Sequence, residues 1–159
     1  LLQYCLHGLA DCLLPPAAAV RRADELWRYT CFEAFVRTGG DAYCEFNFSP
    51  SRAWAAYRFD AYRQGMRPAT VPEPRLEWRI LEDRLDFSAH LDLTTALPQE
   101  TPWRLNLAAV IEAKDGTLSY WALRHPPGKP DFHHPDCFAL ELVPTSERNP
   151  ISMKRFSGI

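Results

Sequence analysis

The chain has 159 residues, a formal net charge of −2 and a hydrophobic fraction of 47%. This is the size and balance of one globular domain that can bury a core without metal or disulfide support. It excludes disorder, collagen, coiled coil and a membrane span, and gives no general attraction to nucleic acid or anionic lipid.

In chain order, Leu1–His7 reads as the tail of a strand, with Gln3, His7 and Asp11 interrupting its apolar run. No basic region precedes it, so it does not read as a signal peptide; this slightly favours the cytoplasm and leaves localisation open. A start at Leu1 leads to the expectation that the first strand is missing, along with any targeting segment it followed. The one helix candidate is Arg21–Arg28, about two turns. After it, alternation with period two predominates. Cys31–Val36 and Tyr43–Phe48 flank Thr38-Gly39-Gly40-Asp41, a hairpin turn that tolerates positive φ. A register with Phe32 near Phe48 and Val36 near Cys44 puts both apolar rows on one face. Parity then gathers Glu33, Phe35, Tyr43, Glu45 and Asn47 on the other.

Further strands are expected at Trp54–Tyr62, Leu76–Leu81, Leu85–Leu91, Trp103–Glu112, Thr117–Leu123 and Cys137–Val143. Gly65-Met66-Arg67-Pro68 with Pro72 and Pro74 reads as a long loop, and the Pro-rich run from His125 to Pro135 as irregular. Residues 1–143 form the expected domain, and 144–159 a C-terminal tail. About eight short strands with hardly any helix argue for an all-β fold, an antiparallel β-sandwich of immunoglobulin-like or jelly-roll type.

The five cysteines form no C-x-x-C pair, so a structural zinc site is not expected. They read as reduced and structural, with a Cys31–Cys44 bridge as the alternative. No dinucleotide, P-loop, zincin or nucleophile-elbow motif occurs. Asn47-Phe48-Ser49 fits a glycosylation acceptor formally but lies in a strand.

Three constellations could carry chemistry. His125, His133 and His134 cluster in one Pro-braced loop with Asp131 and Asp136. They can bind a polar ligand or simply cap backbone; metal is disfavoured, because adjacent His133 and His134 diverge on extended backbone. The row of Glu33, Tyr43, Glu45 and Asn47 has the carboxylates, phenol and amide that a sugar-binding face requires, or is an ordinary solvated face. Glu33 and Glu45 as an acid/base pair for glycoside cleavage is the more demanding version. Met66, between Arg63 and Arg67, could join a His in ligating haem, or fill a gap. A pocket shared by His133, Tyr57 and Arg63 would favour ligand binding over a structural or partner-binding sandwich.

The segments Leu26–Val36, Tyr43–Pro50 and Trp54–Phe59, with the run from Ser119 to Phe138, resemble the bacterial DOMON-like domain proteins, relatives of family 9 carbohydrate-binding modules. The resemblance covers residues 1–143 and is most specific from Cys31 to Phe59. It implies a β-sandwich that binds a ligand and does no chemistry: carbohydrate first, haem b as the alternative, with Met66 and His133 (or His125 or His134) as axial ligands. Members of that family carry an additional N-terminal strand. Sugar-binding relatives hold their ligand between rings, for which Trp54 and Trp121 are the strand-borne candidates. The expected partner is therefore a carbohydrate or other small polar ligand, bound through Glu33, Tyr43, Glu45, Asn47, Tyr57, Arg63, His125, His133 and His134.

Overall fold

A computed structural model of the chain describes residues 1–144, so the expected tail from residue 145 onward lies outside it. The fold is an all-β sandwich. Strands β1 (Leu2–His7), β7 (Arg75–Leu81) and β8 (Arg84–His90) form a small antiparallel sheet in the order β1-β8-β7. The larger sheet is centred on β9 (Trp103–Glu112), β3 (Cys31–Arg37), β4 (Tyr43–Phe48) and β5 (Ala53–Phe59), in that spatial order. Short strands share its two edges. Strands β10 (Leu118–Ala122) and β11 (Leu140–Leu142) follow one another along β9, and β2 (Arg21–Arg22) and β6 (Arg67–Pro68) along β5. Among the described residues, no helix is long and apolar enough to cross a membrane.

The hairpin register follows from strand parity: Phe32 faces Phe48 and Val36 faces Cys44. Phe32, Ala34, Val36, Cys44, Phe46 and Phe48 therefore point toward the small sheet and pack with Leu85, Phe87 and Ala89. Phe32 lies 4.7 Å from the Phe87 ring and 4.9 Å from Tyr4, so one ring ties β3 to both β8 and β1.

The central strands are buried on both faces. A solvated second face is therefore overturned: the loops at 23–29 and 125–139 cover it. Phe35, Tyr43, Tyr57 and Phe59 pack there with Phe132 and Phe138, and with Leu26 and Trp27 at the margin. Asn106 on β9 holds this cover, donating from Nδ2 to the Phe132 carbonyl at 3.0 Å. The molecule thus has three layers: small sheet, large sheet and loops.

Several expectations are corrected. Arg21–Arg28 is not a helix. Arg21 and Arg22 pair in parallel with Ala53 and Trp54, and Arg22 donates to the carbonyls of Ala56 and Ala69. Glu25 then takes a left-handed φ of 59°, leaving only a 3-10 turn at Leu26–Arg28. The strand expected to run to Tyr62 ends at Phe59, because Asp60–Gln64 turns back on itself. Arg67 and Pro68, expected in a loop, add to the β5 edge. The last strand starts at Leu140 because Pro135–Cys137 forms a 3-10 turn. None of the five cysteines forms a disulfide. Cys31 and Cys44 stand at opposite ends of the hairpin and on opposite faces of the sheet, which rules out the alternative bridge.

Gly65 illustrates a local requirement. Its φ is +66°, and a Cβ there would lie 2.2 Å from the Asp60 carboxylate, which pairs with Arg67 at 2.8 Å. Gly65→Ala is expected to cost about 1–2 kcal/mol from the left-handed backbone, lowering Tm by about 3–6 °C in a thermal melt.

Candidate functional site

Between the large sheet and the loop layer lies a cavity of about 370 Å³. Its floor is the row foreseen from parity. Glu33 on β3 sits opposite Asn47 on β4, and Glu45 is two residues along, so the two acids are diagonal neighbours on one face. Both carboxyls are buried, at 3% and 5% exposure, and both line the cavity. Burial pushes the Glu33 carboxyl well above its usual range, and Glu45 beside it pushes it further. Burial likewise raises Glu45, to about 7, against the pull of the Asn47 hydrogen bond and the Arg63 charge. Asn47 Nδ2 donates to Glu45 Oε1 at 2.7 Å. Glu33 Oε1 and Asn47 Oδ1 are buried with no hydrogen-bond partner among the described residues. Buried polar atoms without partners are uncommon, and each asks for a cause.

His133 forms part of the wall. Its ring stands edge-on to Phe35 and Phe59, with centroids 5.1 and 5.2 Å away. Nδ1 lies 2.7 Å from the Tyr43 hydroxyl, which also accepts from the Arg63 amide at 3.2 Å. The arrangement that uses every group has Tyr43 donating to Nδ1, which leaves the proton on Nε2. Nε2 faces Glu45 Oε2 at 3.8 Å. Burial, with the nearby Arg63 charge, lowers the imidazole pKa to about 4 despite Asp131, so the ring is neutral at pH 7.

The mouth is strapped by Asp131, which accepts from Arg63 Nη2 at 2.7 Å, from the Tyr62 hydroxyl and from the His133 amide. Burial pushes the Asp131 carboxyl up, but the hydrogen bonds from Arg63 and Tyr62 outweigh this and hold it below its usual range. These contacts join the loop after β5 to the loop before β11.

Of the residues singled out from sequence, Glu33, Glu45, Arg63 and His133 line the cavity, with Met66, half exposed, at its rim. Tyr43 and Asn47 support it through His133 and Glu45. The other three do not line it. Tyr57 is turned to Asp24, its hydroxyl donating at 2.6 Å. His134 caps the Pro135–Cys137 turn, accepting from the Asp136 amide. The His125 ring lies 6.1 Å from that of Phe132. Of His133, Tyr57 and Arg63, whose sharing of a pocket would favour ligand binding, His133 and Arg63 line this cavity and Tyr57 does not. The rings Trp27, Phe59, Tyr120 and Phe132 also line it and were not foreseen. Tyr120 was open to parity: it pairs with Val110, which pairs with Cys31 on the Glu33 side of β3. Trp54 and Trp121 lie elsewhere, Trp54 in the sandwich core and Trp121 half exposed on β10.

The residues present do not fit haem. His133 has Nδ1 against the Tyr43 hydroxyl and Nε2 toward Glu45, and the cavity it lines carries the two buried carboxyls of Glu33 and Glu45, an unfavourable lining for an apolar macrocycle. No cluster of three or more His, Cys, Asp or Glu side chains suited to a metal ion occurs among the described residues. Asn47, with no exposure, is closed to glycosylation in the fold. Compared with known proteins, the chain matches no family model, no curated protein and no solved structure.

Proposed function

We propose that the chain is a non-catalytic binding module for carbohydrate, taking a sugar ring in the cavity between sheet and loops. The observation that carries this reading is a floor of buried carboxyls, with Glu33 Oε1 unpartnered, under walls of aromatic rings. Carboxyl and amide groups meet hydroxyls directionally, and rings cover the C–H faces of a sugar. The volume of about 370 Å³ falls within the range of small-molecule sites. The resemblance of the Cys31–Phe59 segment to DOMON-like domains supports the same class.

Binding is favoured over cleavage because both acids rise from one floor. Glycoside hydrolysis needs carboxyls flanking the scissile bond, so that one protonates the leaving oxygen while the other works on the sugar carbon.

Isothermal titration with mono- and oligosaccharides tests the reading. Binding at or below millimolar concentration is expected; none across the panel overturns it. Trp27→Ala is expected to weaken binding about tenfold, the equivalent of about 1.4 kcal/mol for one lost stacking ring. Because Trp27 also packs edge-on to Tyr57 at 6.1 Å, a melt of the variant accompanies the titration.

A further inference from the structure

We propose that the cavity selects a ligand bearing a primary ammonium group, an amino sugar or similar amino-polyol, seated on the Glu33–Glu45 floor. This rests on the binding reading above and names the ligand class for that site.

The first support is the charge around the cavity. Its lining carries three carboxyls, Glu33, Glu45 and Asp131, and Arg63 is the only Lys or Arg side chain among the described lining residues. Arg63 is committed to Asp131 at 2.7 Å, and its side chain is half exposed. His133 adds no positive charge at neutral pH. The Arg63 charge reaches Glu45, but its guanidinium pairs with Asp131, so no Lys or Arg pairs with either floor acid among the described residues. The Tyr43 hydroxyl donates to His133 and accepts from the Arg63 amide. The other titratable groups that face the floor acids, Tyr4, Cys31 and Tyr57, are neutral acids that burial pushes up, and they add no positive charge.

The second support is the hydrogen-bond inventory. Asn47 serves Glu45 with its amide hydrogens, and both Glu33 Oε1 and Asn47 Oδ1 remain as buried acceptors without donors among the described residues. Glu33 and Asn47 face each other across β3 and β4, so these acceptors belong to one patch. An ammonium group offers three donors and no acceptor. A hydroxyl offers one donor, brings lone pairs that need donors in turn, and does nothing to favour the ionised form of two acids whose pKa values burial raises.

The third support is the wall. Trp27, Phe59, Tyr120 and Phe132 surround the site with rings, which attract a cation to their faces and cover the apolar side of a sugar.

Titration calorimetry at pH 7 with D-glucosamine, D-glucose and N-acetyl-D-glucosamine decides the matter. D-glucosamine is expected to bind at least tenfold more tightly than D-glucose. N-acetyl-D-glucosamine, whose nitrogen is uncharged, is expected to lose that advantage. In Glu33→Gln the two unacetylated sugars are expected to bind equally; if that variant does not fold, Glu45→Gln serves for the same comparison. Equal affinity of the parent for D-glucosamine and D-glucose, or undiminished binding of the acetylated sugar, overturns the ammonium assignment and leaves the carbohydrate reading standing. Absence of binding by every sugar, including a wider neutral panel, overturns both.

Discussion

Glu45→Gln is expected to match the parent in stability near pH 4 and to exceed it by about 3 kcal/mol at pH 8. The reason lies in the raised carboxyl, which moves from its ordinary 4.5 to about 7 because burial disfavours the charge. A group with a raised folded-state pKa contributes stability that is complete below its unfolded value and lost as pH rises through the folded one. The window therefore runs from 4.5 to 7. Two and a half units correspond to about 3 kcal/mol. Glutamine keeps an oxygen for the Asn47 amide and never ionises, so it avoids the loss. Relief of Glu33, which Glu45 pushes up further, acts in the same direction.

His133 supplies an opposite slope. Its pKa falls from 6.5 to about 4, so its contribution is complete above 6.5 and is lost as pH falls through 4. In the parent the two slopes oppose one another over their shared window, and removing Glu45 leaves that of His133 uncovered. Urea denaturation at pH 4, 6 and 8 reads both. A variant destabilised equally at all three values would contradict the assignment of Glu45 as a strained acid. A substitution that strengthens the fold while weakening the site is what a binding centre held at the expense of stability produces.

Phe32→Ala is expected to remove about 4 kcal/mol, a large share of the 5–15 kcal/mol that holds a typical domain. Phe32 is 2% exposed and packs at a tilt against the rings of Phe87 and Tyr4, so truncation opens a void at the junction of both sheets. Phe32→Leu is expected to recover more than half of the loss, since less volume is vacated. Denaturant midpoints with unchanged slopes are the measurement. A loss below about 1 kcal/mol would mean that the sheets are not held together through this ring.

The sandwich was legible where parity operates. Alternation in Cys31–Val36 and Tyr43–Phe48 placed Phe32 opposite Phe48, and from that alone the row Glu33, Tyr43, Glu45 and Asn47 followed. What parity cannot tell is what lies above a face. The covering loops have no period, and their docking depends on distant contacts such as Asn106 to the Phe132 carbonyl. Trp27 was hidden for a related reason. Its neighbours Ala23, Asp24, Glu25 and Leu26 read as helix formers, while β2 pairing and the left-handed Glu25 decide otherwise. His133 and His134 part, one in the wall and the other capping a turn, but they do so on a turn and not on the extended backbone from which their divergence was argued. Tyr57 was on the right strand and face, but Asp24 draws its hydroxyl away from the cavity.

The three-layer build divides the molecule by cooperativity. The sandwich core joins two sheets of paired strands through interlocking rings, whereas the irregular loop layer is held on the large sheet by side-chain packing and single hydrogen bonds such as Asn106 to the Phe132 carbonyl. Local opening of the loops can therefore occur at lower free energy than global unfolding, and amide hydrogens there exchange while those of β3 and β4 remain protected. Entry to a buried floor then requires only the outer layer to breathe, and a ligand that settles beneath it closes that layer by its own contacts.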